Sequence, residues 1–332
     1  MRSTNNEEIQ LTGIAPQNEY IMYYRNIANM NEVIIKRLSI LPRDFDLIVG
    51  VPRSGMLPAN LIALYLSKPF TDIHSFRNGH IYKAGERGQF IDVKDFKKIL
   101  IVDDSIASGS AMMKAKDLVK DVSADFDVSF CAVYVVPGKE NMVDYFFESV
   151  PLPRYFQWNI LNHSDLEKSC FDIDGVLCVD PLDEQNDDGP KYIDFILNAA
   201  PLYIPKSKIG TLVTSRLEKY RKETEIWLQK HGVKYNKLVM LDLPDMRARQ
   251  KANSHGQHKA NSYKESQYKL FFESSLYQAL EINKITGKPV FCTENFEMIF
   301  DSQSLAYNIK SGKFFPGLRK IALKIRDKYF RK

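Results

Sequence analysis

Cysteine is scarce in this chain. Cys131, Cys170, Cys178 and Cys292 are the only four in 332 residues, each stands alone among apolar neighbours, and none shows metal-type spacing. This excludes a disulfide scaffold and a cysteine-built zinc centre, and suits buried thiols in a reducing compartment. Long apolar runs are missing as well. None reaches the roughly 20 residues of a membrane helix, and the first fifteen residues are polar, so the expectation is a cytoplasmic chain without leader or span. Neither sign of charge dominates, with 46 Lys and Arg against 41 Asp and Glu. A net charge of +5 suits anionic small molecules and makes no case for a nucleic-acid partner. Internal repeats and low-complexity tracts are also lacking.

What is present is ordinary globular material, 44% hydrophobic and 26% charged, which supports a sizeable core. The length is generous for one core and comfortable for two domains. The most informative stretch is Lys98–Met112. Ile99-Leu100-Ile101-Val102 reads as a short strand buried on both faces, ending at two carboxylates, Asp103 and Asp104. Ser105, Ala107, Ser108, Gly109 and Ser110 then open into a helix that begins near Met112. Small residues at a strand-to-helix turn let amides and hydroxyls close on a phosphate, and the acids upstream can hold a cis-diol or a hydrated cation. Diol and phosphate together describe a ribose 5-phosphate. About fifty residues earlier, the strand Phe45–Gly50 leads into Val51-Pro52-Arg53-Ser54-Gly55, a tight turn that can aim amides and a guanidinium at a polyphosphate.

Asp103-Asp104-Ser105-Ile106-Ala107-Ser108-Gly109 resembles the phosphoribosyl pyrophosphate (PRPP) signature of the type I phosphoribosyltransferases. The resemblance implies that the two acids contact the ribose hydroxyls, that Ser105, Ala107, Ser108, Gly109 and Ser110 wrap the 5-phosphate, and that Arg53, Ser54 and Gly55 bind pyrophosphate. Magnesium and basic groups would stabilise the departing pyrophosphate. An α-configured donor would give a β-linked product, with Asp103 or Asp104 as the base for a hydroxyl acceptor. Elsewhere in this half, apolar residues at helical spacing predict a helix over Asn18–Leu38, and Val128–Val136 predicts a strand. The Gly-, Lys- and Arg-rich residues 71–97 suit either a basic flap or a plain solvated hairpin. The aromatic segment Asp144–His163 suits either a packed linker or a stacking surface for the acceptor.

A second unit opens at Ser169–Cys178, an apolar strand ending in Asp172-Ile173-Asp174-Gly175. Carboxylates two positions apart can serve one metal, one of them free to attack phosphorus and the other to move a proton. The string resembles motif one of the haloacid dehalogenase-like phosphatases. That resemblance implies Asp172 as nucleophile, Asp174 as general acid/base and Thr214 as the hydroxyl bonding the phosphoryl group. It also implies Lys259 or Lys264 as the neutralising lysine, and Asp172, Asp174 and Glu273 as magnesium ligands. Glu273-Ser274 departs from the family's usual Asp at that motif. Only 42 residues separate Asp172 from Thr214, and 59 separate Thr214 from Glu273. This leaves little room for a cap, so an open site taking a bulky substrate is expected. The polar run Asp245–Ser262 reads as a solvated loop or a phosphate-collecting rim. The basic tail Leu318–Lys332 reads as a docked helix or a contact with anionic membranes.

The expected architecture is α/β, with two doubly wound Rossmann-like domains. Residues 1–163 would take the type I phosphoribosyltransferase fold and 164–332 a HAD-like fold with minimal cap, and magnesium would serve both. Domain order and motifs resemble the dual-domain ribofuranosyltransferases of bacterial surface polysaccharide (O-antigen and capsule) synthesis. The resemblance implies PRPP as donor and a glycan acceptor, which could be lipid-linked at the inner membrane face, and it is compatible with a homo-oligomer. Two alternatives stay open: a nucleobase phosphoribosyltransferase fused to a nucleotide phosphatase, and a regulator that binds PRPP without turnover.

Overall fold

The computed structural model describes residues 22–82, 96–121, 125–252 and 255–302. Two mostly parallel sheets organise them. The first has the order β3-β2-β4-β5-β6, built from β2 (Leu47–Gly50), β3 (Phe70–Asp72), β4 (Lys98–Ile106), β5 (Asp127–Val135) and β6 (Tyr145–Ser149), all parallel. Its central strands are apolar at successive positions because helices cover both faces. Ile48, Leu100 and Val102 pack with α1 (Ile27–Arg37) and α2 (Met56–Leu66), whereas Leu47, Val49, Ile99 and Ile101 pack with α3 (Ile73–Arg77) and α4 (Ser110–Val119).

The second sheet has the order β10-β9-β8-β11-β12-β13. Its strands are β8 (Ser169–Phe171), β9 (Ile209–Leu217), β10 (Tyr235–Leu241), β11 (Leu270–Glu273), β12 (Val290–Cys292) and β13 (Glu297–Ile299), and only the β12–β13 pairing is antiparallel. Phe171, Leu212, Phe272 and Phe291 face α5 (Pro190–Asn198) and α6 (Arg221–Lys230). Cys170, Val213, Phe271 and Val290 face α8 (His255–Glu265) and α9 (Leu276–Thr286). All four cysteines are free and buried.

The two units share an interior. β1 (Tyr23–Arg25) pairs in parallel with β7 (Arg154–Phe156), and Met22, Tyr24 and Tyr155 join the apolar core of the second sheet while Phe156 joins that of the first. Tyr24 Oη donates to the carbonyl of Phe296 (2.6 Å), Gln157 Nε2 to the same carbonyl (3.0 Å), and Asn26 Nδ2 to Glu297 Oε1 (2.7 Å).

Several expectations need correction. The helix expected from Asn18 begins only at Ile27. Asn26 and Asn29 form a reciprocal capping box, and Tyr23–Arg25 are extended against β7. Tyr24 therefore belongs to a different core from Met30 and Ile34, although all three fall on one helical period. The run Asp245–Ser262 is not a loop: it contains α7 (Met246–Ala252) and much of α8, anchored by buried Ala260 and Tyr263. Asp144–His163 supplies β6 and β7. Within 71–97, residues 83–95 lie outside the described residues, as does the tail Leu318–Lys332.

Two candidate active sites

The first site sits at the C-terminal ends of β2 and β4, where open parallel sheets bind ligands. β4 does not stop at the acids, as the sequence suggests, but runs through them to Ile106, burying both carboxylates. Asp104 is clamped at both oxygens: Ser54 Oγ donates to Oδ1 (2.8 Å) and Trp158 Nε1 to Oδ2 (2.7 Å). Asp103 Oδ1 accepts from the Asp104 amide (2.8 Å). Burial, and then the neighbouring Asp104, push the Asp103 carboxyl up to about 8. Gly55 is required beside this pair. A Cβ there would lie 2.6 Å from the Val51 carbonyl and 2.8 Å from both Asp103 Oδ1 and the Val102 carbonyl.

Of the phosphate-loop candidates, Ser105 lies within β4 and Ser110 opens α4, leaving Ala107, Ser108 and Gly109 as the turn between them. Ala107, Ser108 and Ser110 are exposed, Ser105 is half-buried, and Gly109 turns at φ +87° to start α4 without a side-chain cap. The first amide of α4, Ser110 N, donates to Ser108 Oγ (3.3 Å), and the cap residue offers no side-chain acceptor to the amides that follow, an arrangement suited to an anion. Arg53 is exposed and donates to Asn159 Oδ1 (3.1 Å).

Sequence reasoning missed Arg154 and did not single out Trp158. Trp158 stacks on Phe156 (centroids 4.9 Å, 11° between planes), which stacks on Tyr134 (5.1 Å). The aromatic density of 145–158 was the available signal. Arg154 is buried, donates to the Ile106 and Val150 carbonyls, and is held down to about 10 by burial. Nothing in the sequence marks it.

The second site is a cleft of about 410 Å3 over the C-terminal ends of β8, β9 and β11. Lys259 reaches it from α8 and bridges the two acids that end β8 and β11. Its Nζ donates to Asp172 Oδ2 (2.6 Å), Glu273 Oε2 (2.7 Å) and Gln278 Oε1 (2.8 Å). The remaining oxygens are also engaged. Asp172 Oδ1 accepts from Ile173 N, and Glu273 Oε1 from Ser274 N and Ser275 N. Burial pushes Asp172 up to about 8, against the pull of Lys259; the carboxylates in turn raise Lys259 despite its own burial. Lys264, five residues and about 140° further round the helix, is exposed and takes no part.

Asp174 is paired elsewhere. The fully buried Arg216 donates to it through Nη2 (2.6 Å) and Nε (3.1 Å), and Cys178 Sγ lies 3.4 Å away. Thr214 is fully buried, and its hydroxyl accepts from Arg216 N (3.2 Å); the next residue, Ser215, lines the cleft. Ser274 Oγ donates to the Asp174 carbonyl (3.2 Å). Among the described residues, no three His, Cys, Asp or Glu side chains are grouped so as to hold a metal ion. Asp172 and Glu273 meet across Lys259, and Asp174 faces Arg216. The donors fit magnesium in kind, being carboxylate and carbonyl oxygens.

Residues 22–163 match the family model described as "Phosphoribosyl transferase domain". The chain therefore carries a phosphoribosyltransferase domain on an α/β fold with parallel sheets. It is 30% identical over 114 residues to a transcriptional regulator, GfcR, of Methanococcoides burtonii, covering 33% of this chain and 53% of that protein. It is 38% identical over 77 residues to an orotate phosphoribosyltransferase of Sulfolobus acidocaldarius, covering 23% of this chain and 37% of that one. The chain thus spans about half the length of the first relative and little over a third of the second. A solved xanthine-guanine-hypoxanthine phosphoribosyltransferase of Helicobacter pylori superposes with TM-score 0.32 at 18% identity, over 42% of this chain and 93% of that one. A purine phosphoribosyltransferase of Pyrococcus horikoshii gives 0.31 at 23%, over 41% and 93%. No described helix is long and apolar enough to cross a membrane.

Proposed function

We propose that the chain works as a two-step ribofuranosyl transferase, with a boundary near residue 163. The first domain would move a 5-phosphoribosyl group from PRPP to a glycan hydroxyl, releasing pyrophosphate. The second, HAD-like, domain would hydrolyse the 5-phosphate to leave a β-ribofuranosyl unit for surface polysaccharide. The observation that carries this reading is the buried Lys259 joining Asp172 to Glu273, in a chain that also holds the acid pair and phosphate loop of the first site. A chain needing only phosphoribosyl transfer has no use for a second carboxylate–lysine centre.

In the first site Asp103 is the better base. Asp104 accepts a donor from another residue at each oxygen, whereas Asp103 is bonded only within the acid pair, and burial with the neighbouring Asp104 pushes its carboxyl up to about 8. Arg53 and the α4 amides would hold the phosphates. In the second site Asp172 would attack phosphorus while Lys259 neutralises the oxygens, and Asp174 would move the proton once released from Arg216. Magnesium, when bound beside Asp172 and Glu273 and with PRPP, would supply charge neutralisation.

Incubation with PRPP, magnesium and candidate saccharides, with pyrophosphate and inorganic phosphate scored separately, tests the relay. Asp172→Asn should accumulate phosphoribosylated acceptor, and Asp103→Asn combined with Asp104→Asn should leave the acceptor untouched. Full dephosphorylated product from Asp172→Asn would sink the proposal. The half-exposed Trp158 face beside Asp104, with the likeness to an orotate phosphoribosyltransferase, favours a second reading in which a nucleobase is the acceptor. Ribosylation of a heterocycle but of no saccharide would establish it.

A further inference from the structure

The acids lining the second cleft are not equally committed. Asp172 is bonded to Lys259 and the Ile173 amide, Asp174 to Arg216, and Glu294 accepts from the Leu276 amide. Asp180 lines the same cleft at its solvent-exposed edge and makes no hydrogen bond or ion pair with any described residue. It is nevertheless held in place. Val179 N donates to the Ala200 carbonyl (3.0 Å), Gly175 N to the Cys178 carbonyl (2.7 Å), and Cys178 bridges to both Asp174 and Pro201. The carboxylate folds inward over the Gly175 turn. A Cβ on Gly175 would lie 2.8 Å from Asp180 Oδ2 and 2.3 Å from Ser274 Oγ, so Asp180 and Ser274 crowd the same turn.

We propose that Asp180 is a specificity-determining residue of this cleft, accepting hydrogen bonds from the 2- and 3-hydroxyls of a ribofuranosyl unit whose 5-phosphate lies against Asp172. The inference rests on the phosphatase reading of the second site. An ionised carboxylate is acceptor-only, with two oxygens that match two vicinal hydroxyl donors. The cleft lies in the size range that takes small ligands, and Pro181 and Tyr192 line it with apolar surface for a sugar ring. Asp172 and Asp174 have a donor at each oxygen and Glu294 at one, so Asp180 is the carboxylate of this wall with both oxygens left for substrate hydroxyls.

The test uses the full chain and two phosphomonoesters, ribose 5-phosphate and tetrahydrofurfuryl phosphate, which lacks the ring hydroxyls. KM and kcat are measured for each while magnesium is titrated. Wild type should favour ribose 5-phosphate in KM. Asp180→Asn, which keeps the side-chain volume, should raise that KM about tenfold with little change in kcat, erasing the discrimination between the two esters. Equal KM changes for both esters would overturn the inference, as would a wild type with no preference between them. A shift in the magnesium concentration for half-activity would also overturn it, by making Asp180 a metal ligand. In each of these cases phosphatase activity would persist. A wild type that hydrolyses neither ester would remove the phosphatase reading and this inference together.

Discussion

Lys259 and Asp172 are 87 positions apart in the chain and 2.6 Å apart in space, with both side chains almost wholly out of water. Each is there because of the other. An ammonium or carboxylate buried alone would cost several kcal/mol.

Removing the cation should therefore harm stability as well as chemistry. Lys259→Met leaves Asp172 and Glu273 facing each other in a dry pocket. We expect a loss of about 3–5 kcal/mol in urea unfolding and of p-nitrophenyl phosphate hydrolysis. Lys264→Ala should stay within about 0.5 kcal/mol of wild type. If the two lysines behaved alike, the geometry described for α8 would be wrong.

These two lysines also show where sequence reading stops. The acids of both candidate sites stand out in the sequence because each follows a short apolar run, although β4 continues through Asp103 and Asp104 where the sequence suggests a strand end. Lys259 and Lys264 could not be told apart, since that depends on the phase of a helix whose polar composition read as loop. Only the burial of Ala260 and Tyr263 against α9 fixes that phase. The start of α1 failed for the converse reason. Tyr24 fits the helical period of Met30 and Ile34, yet pairing with Tyr155 of β7, 131 residues away, takes it into the other core. Trp158 was legible as an aromatic and illegible as the donor to Asp104.

Trp158→Phe keeps the stack on Phe156 and deletes the indole donor to Asp104. A hydrogen bond to a charged acceptor contributes about 1.5–3 kcal/mol, so pyrophosphate release should slow by about ten- to a hundredfold. Ester hydrolysis in the second cleft should be unchanged. Parallel losses in both activities would show that the indole supports the fold and not the acid.

Asp103 gives a pH signature. Its folded value of about 8 lies above the ordinary 3.8, so the folded chain binds the proton more tightly than the unfolded one. That contribution to stability is complete below about pH 4 and is lost as pH rises through about 8. Asp103→Asn keeps the oxygen that accepts from the Asp104 amide and removes the titration. The Tm of wild type should fall relative to the variant as pH is raised from 4 to 8. A Tm difference flat across that range would contradict the burial of the ionisable group.

Gly55→Ala places a methyl group within 3 Å of two backbone carbonyls and the Asp103 carboxylate. None of these is the yielding end of a flexible chain. The expected cost is about 1–3 kcal/mol, with pyrophosphate release impaired because the turn carrying Arg53 and Ser54 must back away from Asp104. Calorimetry and a pyrophosphate assay would check both effects, and an alanine variant equal to wild type in each would refute the packing.

Met22, Tyr24 and Tyr155 lie in the front part of the chain but are buried in the interior of the back part. Cutting the gene at residue 163 would strip these three side chains of their cover and leave the second core with a matching hole. Such halves should be sticky and short-lived on their own, and regain solubility when made together in one cell. Separating the two proposed chemistries is therefore a task for point substitution within the intact polypeptide.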